Sequence, residues 1–170
     1  MPIDLCEHTF NELAATVFPK HMDTLRSAFD SPLPMSLFCQ PGVGVRSILS
    51  ILKRSEDFSG CYVLLEDEKP FYVGISRTVV HRLRQHVTGD THFNASLAYG
   101  MAANKSPHKM TRDAAMADPE FRKHFDSART LLQSSSVAFI EIDNPLELYL
   151  FEAYCAMELN TCEWNTFRTH

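Results

Sequence analysis

Between residues 59 and 75 the residue pattern changes from helical to strand-like, and that change limits the folds open to the chain. Cys61 to Leu65 and Phe71 to Ile75 are short runs rich in β-branched, aromatic and aliphatic residues. The polar stretch Glu66-Asp67-Glu68-Lys69-Pro70 separates them, so the pair reads as a β-hairpin. A hairpin by itself is marginal in water and must be covered by helices or further strands. The flanks supply both. Leu5, Phe10, Leu13 and Val17, then Met22, Leu25 and Phe29, recur at helical spacing, with Pro19 between the two stretches. Pro32, Pro34 and Pro41-Gly42 mark a loop, and Val45 to Lys53 reads as another short helix. After the hairpin come helices from about Arg77 to Val87 and near 93–104, 111–117 and 119–132, then a third strand from Val137 to Ile142. A long helix from Pro145 to Leu159 has proline in its first turn, where its missing N–H does no harm. The fold expected is a small α/β domain, an antiparallel three-stranded sheet flanked by helices over residues 58–170, preceded by a helical extension over 1–57.

A chain of 170 residues with 45% apolar content suits one globular domain with such an extension. No run approaches the roughly 20 apolar residues of a membrane span, and Met1-Pro2-Ile3-Asp4 opens without a charged leader and apolar core. Five cysteines, none in a C-x-x-C pair, read as reduced thiols rather than disulfides or a zinc site. A cytoplasmic protein is the expectation.

Charge is unevenly distributed. Residues 1–69 hold 6 Lys+Arg against 10 Asp+Glu, residues 70–125 hold 8 against 4, and residues 126–170 hold 2 against 7. The basic segment also contains five of the eight histidines. A pI near 5.9 is far from that of a dedicated nucleic-acid-binding domain. A local basic face can still guide a polyanion, with modest and salt-sensitive affinity.

Three placements suggest chemistry. In the hairpin, Tyr62 and Tyr72 lie near-opposite, to within one residue of register, and Gly74 leaves room on the strand face of Tyr72. Taken alone, two tyrosines packed across a hairpin are the plainer reading. In the next helix Val79, Val80, Leu83 and Val87 fill one arc, with Arg82 and His86 at its edge, while His81, Arg84 and Gln85 point away. An arginine and a histidine at a buried margin can bind an anion, although an arginine snorkelling over a core helix has the same pattern. On the last helix Glu152 falls among Leu148, Tyr149, Cys155, Ala156 and Leu159. A carboxylate there must pair with a cation such as Arg82, take up a proton, or bind a metal.

These residues together resemble a known family. Gly60-Cys61-Tyr62, nine residues, then Tyr72-Val73-Gly74 is similar to the two signature triplets of the GIY-YIG nuclease superfamily. The resemblance continues with Arg82 eight positions after the second glycine, His86 four later, Glu152 on a late helix and Asn165 beyond it. It spans roughly residues 59–167. Cys61 departs from the usual aliphatic residue of the first triplet, and Ile75 stands where some members carry a lysine. The stretch 90–135 is long for a minimal module.

The resemblance implies a divalent-metal-dependent endonuclease acting on DNA. Tyr62 is then the general base, Tyr72 and Asn165 orient groups, Arg82 holds phosphate oxygens, His86 donates a hydrogen bond or moves a proton, and Glu152 binds one Mg²⁺ or Mn²⁺. Arg84, His92, Lys105 and Arg112 are candidate substrate contacts from the basic segment. An RNA or toxin-like nuclease, and a catalytically weak binding module whose N-terminal helices recruit a protein partner, are the alternatives.

Overall fold

A computed structural model describes residues 2–167 of the chain. In chain order its principal elements are α1 (Phe10–Glu12), α2 (Phe18–Ala28), β1 (Leu33–Pro34), α3 (Val45–Ile51), β2 (Gly60–Glu66), β3 (Lys69–Ser76), α4 (Val79–Thr88), α5 (Ser96–Lys105), α6 (Arg112–Ala117), α7 (Pro119–Ser134), β4 (Ser136–Glu141) and α8 (Pro145–Glu158). The α/β class and flanking helices agree with the sequence expectation; the strand count does not. The sheet has four strands in the order β1-β4-β2-β3. The added strand is two residues long and contains Pro34, which lacks a donor and is tolerated only at a sheet edge. Its prolines made it read as loop.

The residues form two compact units, one of 1–33, 57–79 and 136–170, the other of 34–56 and 80–135. In the first, α2 and α8 pack with Cys61, Val63, Leu65, Val73, Ala138 and Ile140 in a single apolar cluster. Phe18, Met22 and Leu25 of α2 follow the four-then-three spacing of one helix face. Pro19 does not interrupt the helix, because Leu13–Val17 is a π-helical stretch and the proline falls in the first turn of α2. Leu5 and Phe10, expected on the apolar stripe, are exposed. Asn144 caps α8, its Oδ1 accepting from Leu146 and Glu147 N–H at 3.0 Å each.

The second unit is helical. Phe121, Phe125, Ala128 and Leu132 make the buried face of α7, which packs on α5, α6 and the 3₁₀ turn Met35–Cys39. Val80, Leu83 and Val87 of α4 are buried as expected, but Arg84 is half-buried and does not point away. Its guanidinium donates to the carbonyls of Phe38 and Val43, fixing the loop before α3 to α4.

A bulge sets the register of the hairpin. From the turn, Glu66 faces Lys69 and Leu65 faces Pro70; Leu64 then faces Tyr72, skipping Phe71, and Tyr62 faces Gly74. Without the extra residue Tyr62 would face Val73, and the two tyrosines would fall on opposite faces of the sheet. With it they share a face, two residues apart in register rather than opposite. The turn itself places Asp67 and Glu68 at φ +48° and +66°. Both angles are those of a primed two-residue turn, in which glycine is favoured at the second position. Glu68→Gly should therefore raise stability by about 0.5–1 kcal/mol, read as a higher Tm; an unchanged or lower Tm would show that this turn carries no strain.

Candidate active site

Both motif glycines have a steric reason. A Cβ on Gly60 would collide with the carbonyl oxygen of Ile140 on β4, and one on Gly74 with the phenol ring of Tyr62. The Tyr62 ring thus lies across the space that Gly74 vacates, 1% exposed, with the half-buried Tyr72 ring 6.4 Å away at 50°. The expectation of room beside Tyr72 is corrected: the first tyrosine fills it.

Asn165 clips to the open edge of β3. Its Oδ1 accepts from Val73 N–H at 2.9 Å and its Nδ2 donates to Val73 C=O at 2.8 Å, so one side-chain amide replaces a neighbouring strand. It holds the backbone between Tyr72 and Gly74.

Glu152 projects from the margin of the buried stripe of α8, beside Leu148, Phe151, Cys155 and Ala156. Burial raises the pKa of its carboxyl above the ordinary value, and no lysine, arginine or histidine among the described residues of its own unit forms an ion pair with it. Cys61, buried between β2 and α8, has its thiol pushed well up by a hydrogen bond with Cys155, by burial, and by the nearby charges of Cys155 and Glu152. Among the described residues no group of three His, Cys, Asp or Glu side chains could hold a metal. The donor set excludes an all-protein cage but suits a hydrated Mg²⁺, which binds through one or two carboxylates, water and substrate phosphate.

Arg82 and His86 lie in the second unit. The Arg82 guanidinium donates from Nη1 to Gln85 Oε1 at 3.1 Å and to Asn94 C=O at 3.0 Å, and from Nη2 to Ser96 Oγ at 2.7 Å. Every one of these acceptors is neutral. The other arginines of this unit that are tied down electrostatically behave differently: Arg122 and Arg129 both pair with Asp90 and Asp126. Among the described residues Arg82 is oriented without being neutralised, and its Nε–H and one Nη2–H remain, the pair that matches a phosphate edge. Gln85 stands one turn along α4, but nothing in the sequence pointed to Ser96 or Asn94.

His86 is completely buried, and burial together with the charge of Arg82 lowers its pKa to about 3. The expected proton carrier near neutrality is therefore a neutral imidazole at physiological pH. Of the other candidate contacts, Arg84 is tied to backbone carbonyls. His92 is buried with Nδ1 3.4 Å from Asp113, Lys105 is exposed at the end of α5, and Arg112 lies over the Tyr99 ring at 5.9 Å.

The family model of the GIY-YIG catalytic domain matches residues 58–116. Over that segment, about a third of its length, the chain is similar to a GIY-YIG catalytic domain. The matched segment includes both triplets, Arg82 and His86, and stops before Glu152 and Asn165. No curated protein and no solved structure matches the chain. A GIY-YIG catalytic domain implies a nuclease-type function with nucleic acid as substrate. No helix of the described residues is long and apolar enough to cross a membrane.

The His86 shift has a sign. The unfolded chain takes up a proton near pH 6.5 that the folded chain refuses down to about 3, so stability is lost as pH falls through that window. Urea unfolding should show a loss of about 1.4 kcal/mol per pH unit below pH about 6, and His86→Gln should flatten it. The same slope in the variant would assign acid sensitivity to another group.

Proposed function

We propose that this GIY-YIG domain is a divalent-metal-dependent endonuclease that hydrolyses phosphodiester bonds in DNA. The observation that carries the reading is Arg82: three neutral acceptors hold a fully charged guanidinium in place and leave a two-pronged donor open. Elsewhere in the same unit Arg122 and Arg129 are paired with aspartates, and Arg84 is tied to the carbonyls of Phe38 and Val43. A fixed, uncompensated cation is suited to oxygens whose negative charge grows in a transition state, because no reorganisation is needed as the charge develops.

Tyr62 takes the proton of the attacking water, as the phenolate or through a relaying water. Its ring is fixed over Gly74, so the hydroxyl has one position. Tyr72, on the same face and less buried, orients the phosphate or the water. Asn165 acts through the backbone of β3 rather than on substrate. His86, neutral at working pH, contributes hydrogen bonds and not charge. Glu152 is the residue that would hold the metal ion, which supplies charge stabilisation at the scissile phosphate.

Charge distribution supports a polyanionic substrate. By sequence, the second unit holds 11 Lys+Arg against 6 Asp+Glu, and the first 5 against 15. The division by compact unit is sharper than the division into residues 1–69, 70–125 and 126–170.

A panel of supercoiled, linear, branched and single-stranded DNA, with RNA alongside, each in Mg²⁺, Mn²⁺ and EDTA, tests the activity. Cleavage of DNA in the metals and none in EDTA is expected; cleavage of RNA alone would assign the other polynucleotide. Glu152→Gln should abolish cleavage while leaving Tm unchanged or higher, since the carboxylate is desolvated without an ion-pair partner in its unit. A variant that cuts at the wild-type rate in Mg²⁺ would remove Glu152 from metal binding, and one that unfolds would make it a structural residue.

A further inference from the structure

The turn that holds Arg82 also presents an aromatic ring to solvent. Thr91 closes the turn, its Oγ accepting from Asn94 N–H at 3.2 Å and its carbonyl from Ala95 N–H at 3.0 Å. Asn94 and Ser96 supply two of the three acceptors of Arg82. Phe93, between Thr91 and Asn94, is 72% exposed. Its ring lies 3.9 Å from that of the buried His92, which in turn contacts Asp113 and Tyr99. The place of Phe93 beside the residues that clamp Arg82 leaves an aromatic face available to a ligand of that arginine.

The surroundings narrow the chemistry of that ligand. Arg112 lies over Tyr99, the ring that His92 also touches. Tyr99 hydrogen-bonds His108 at 3.3 Å, and Lys109 follows His108 directly. Lys105, Lys109 and Arg112 are exposed, and none has an ion-pair partner among the described residues. One exposed aromatic face, three cations without ion-pair partners among the described residues, and an arginine held by the carbonyl of Asn94, the residue after Phe93, together match the elements of a nucleotide: a base, the flanking phosphates, and the phosphate under attack. A base within a duplex has both faces covered by its neighbours, whereas an unpaired base has a face to offer.

We propose that Phe93 is a stacking platform for an unpaired base beside the phosphate that Arg82 holds, so that the substrate is a polynucleotide with unpaired nucleotides at the cut. This rests on the nuclease reading for the part played by Arg82. Lys105, Lys109 and Arg112 hold the adjoining phosphates without regard to sequence.

Binding measured by fluorescence anisotropy in EDTA separates the platform from cleavage. The probes are a labelled oligothymidine, a branched DNA with a single-stranded arm, and a fully paired duplex. Phe93→Ala should weaken binding of the first two by about 5- to 150-fold, the range for loss of one base–aromatic stack, and leave duplex binding unchanged. Phe93→Trp should restore affinity, and its added indole emission should be quenched by the oligothymidine. Lys109→Glu should weaken all three probes alike and reduce the salt dependence. Equal affinity of Phe93→Ala and wild type for the single-stranded probes, or an equal loss on duplex, would overturn the proposal. So would a wild-type protein that binds none of the probes, or a Phe93→Ala variant that keeps nucleic-acid binding and loses self-association, which would make this face a protein interface. Stacking without cleavage in any metal would leave the platform standing and remove the nuclease reading; cleavage of single-stranded and duplex DNA at equal rates, insensitive to Phe93→Ala, would do the reverse.

Discussion

The single extra residue at Phe71 governs the arrangement of the sheet unit. Side chains alternate along a strand, so a one-residue change in pairing exchanges the two faces of everything beyond it. The bulge brings Tyr62 opposite Gly74 and leaves Cys61, Val63, Leu65 and Val73 in the cluster with α2 and α8. Core packing and the tyrosine face are thus set by one register. Gly74 is required because the Tyr62 ring occupies its side-chain space, and Gly60 because β4 approaches too closely for any Cβ. The motif is a steric solution before it is a chemical one.

Electrostatics gives the second unit its character. Arg122 and Arg129 are neutralised by aspartates, whereas Arg84 and Arg82 are held by neutral acceptors, Arg84 by the carbonyls of a loop and Arg82 by Gln85, Asn94 and Ser96. The charge of Arg82 is one cause of the low pKa of His86, and burial is the larger one. A neutral histidine beside a fixed guanidinium leaves the positive field undivided, which is what an anionic oxygen requires.

Much of this was legible in the sequence, for physical reasons. The hairpin, the helices after it and the buried arc of α4 follow from periodicity, and Glu152 stood out as a carboxylate on an apolar stripe. What was hidden depended on contacts rather than pattern. A two-residue strand containing proline carries no periodic signal. The bulge leaves no mark in composition, so the tyrosine pair was expected near-opposite, to within one residue of register, and lies two residues apart. Arg84 and His92 looked like exposed substrate contacts because the carbonyls of Phe38 and Val43 and the carboxylate of Asp113 come from elsewhere in the chain. Ser96 lies 14 residues beyond Arg82 and reaches it only through the Thr91 turn.

The proposed mechanism requires the hydroxyl of the buried Tyr62 as well as its ring. Tyr62→Phe retains the ring over Gly74 and removes one oxygen, so stability should change by about 1 kcal/mol or less. The single-turnover cleavage rate at saturating DNA, followed across pH about 6 to 9, is the most direct measurement. The account predicts that the rate collapses while Tm and DNA affinity hold. A variant that cuts at the wild-type rate over that range would contradict it and return Tyr62 to the sheet as a packing residue.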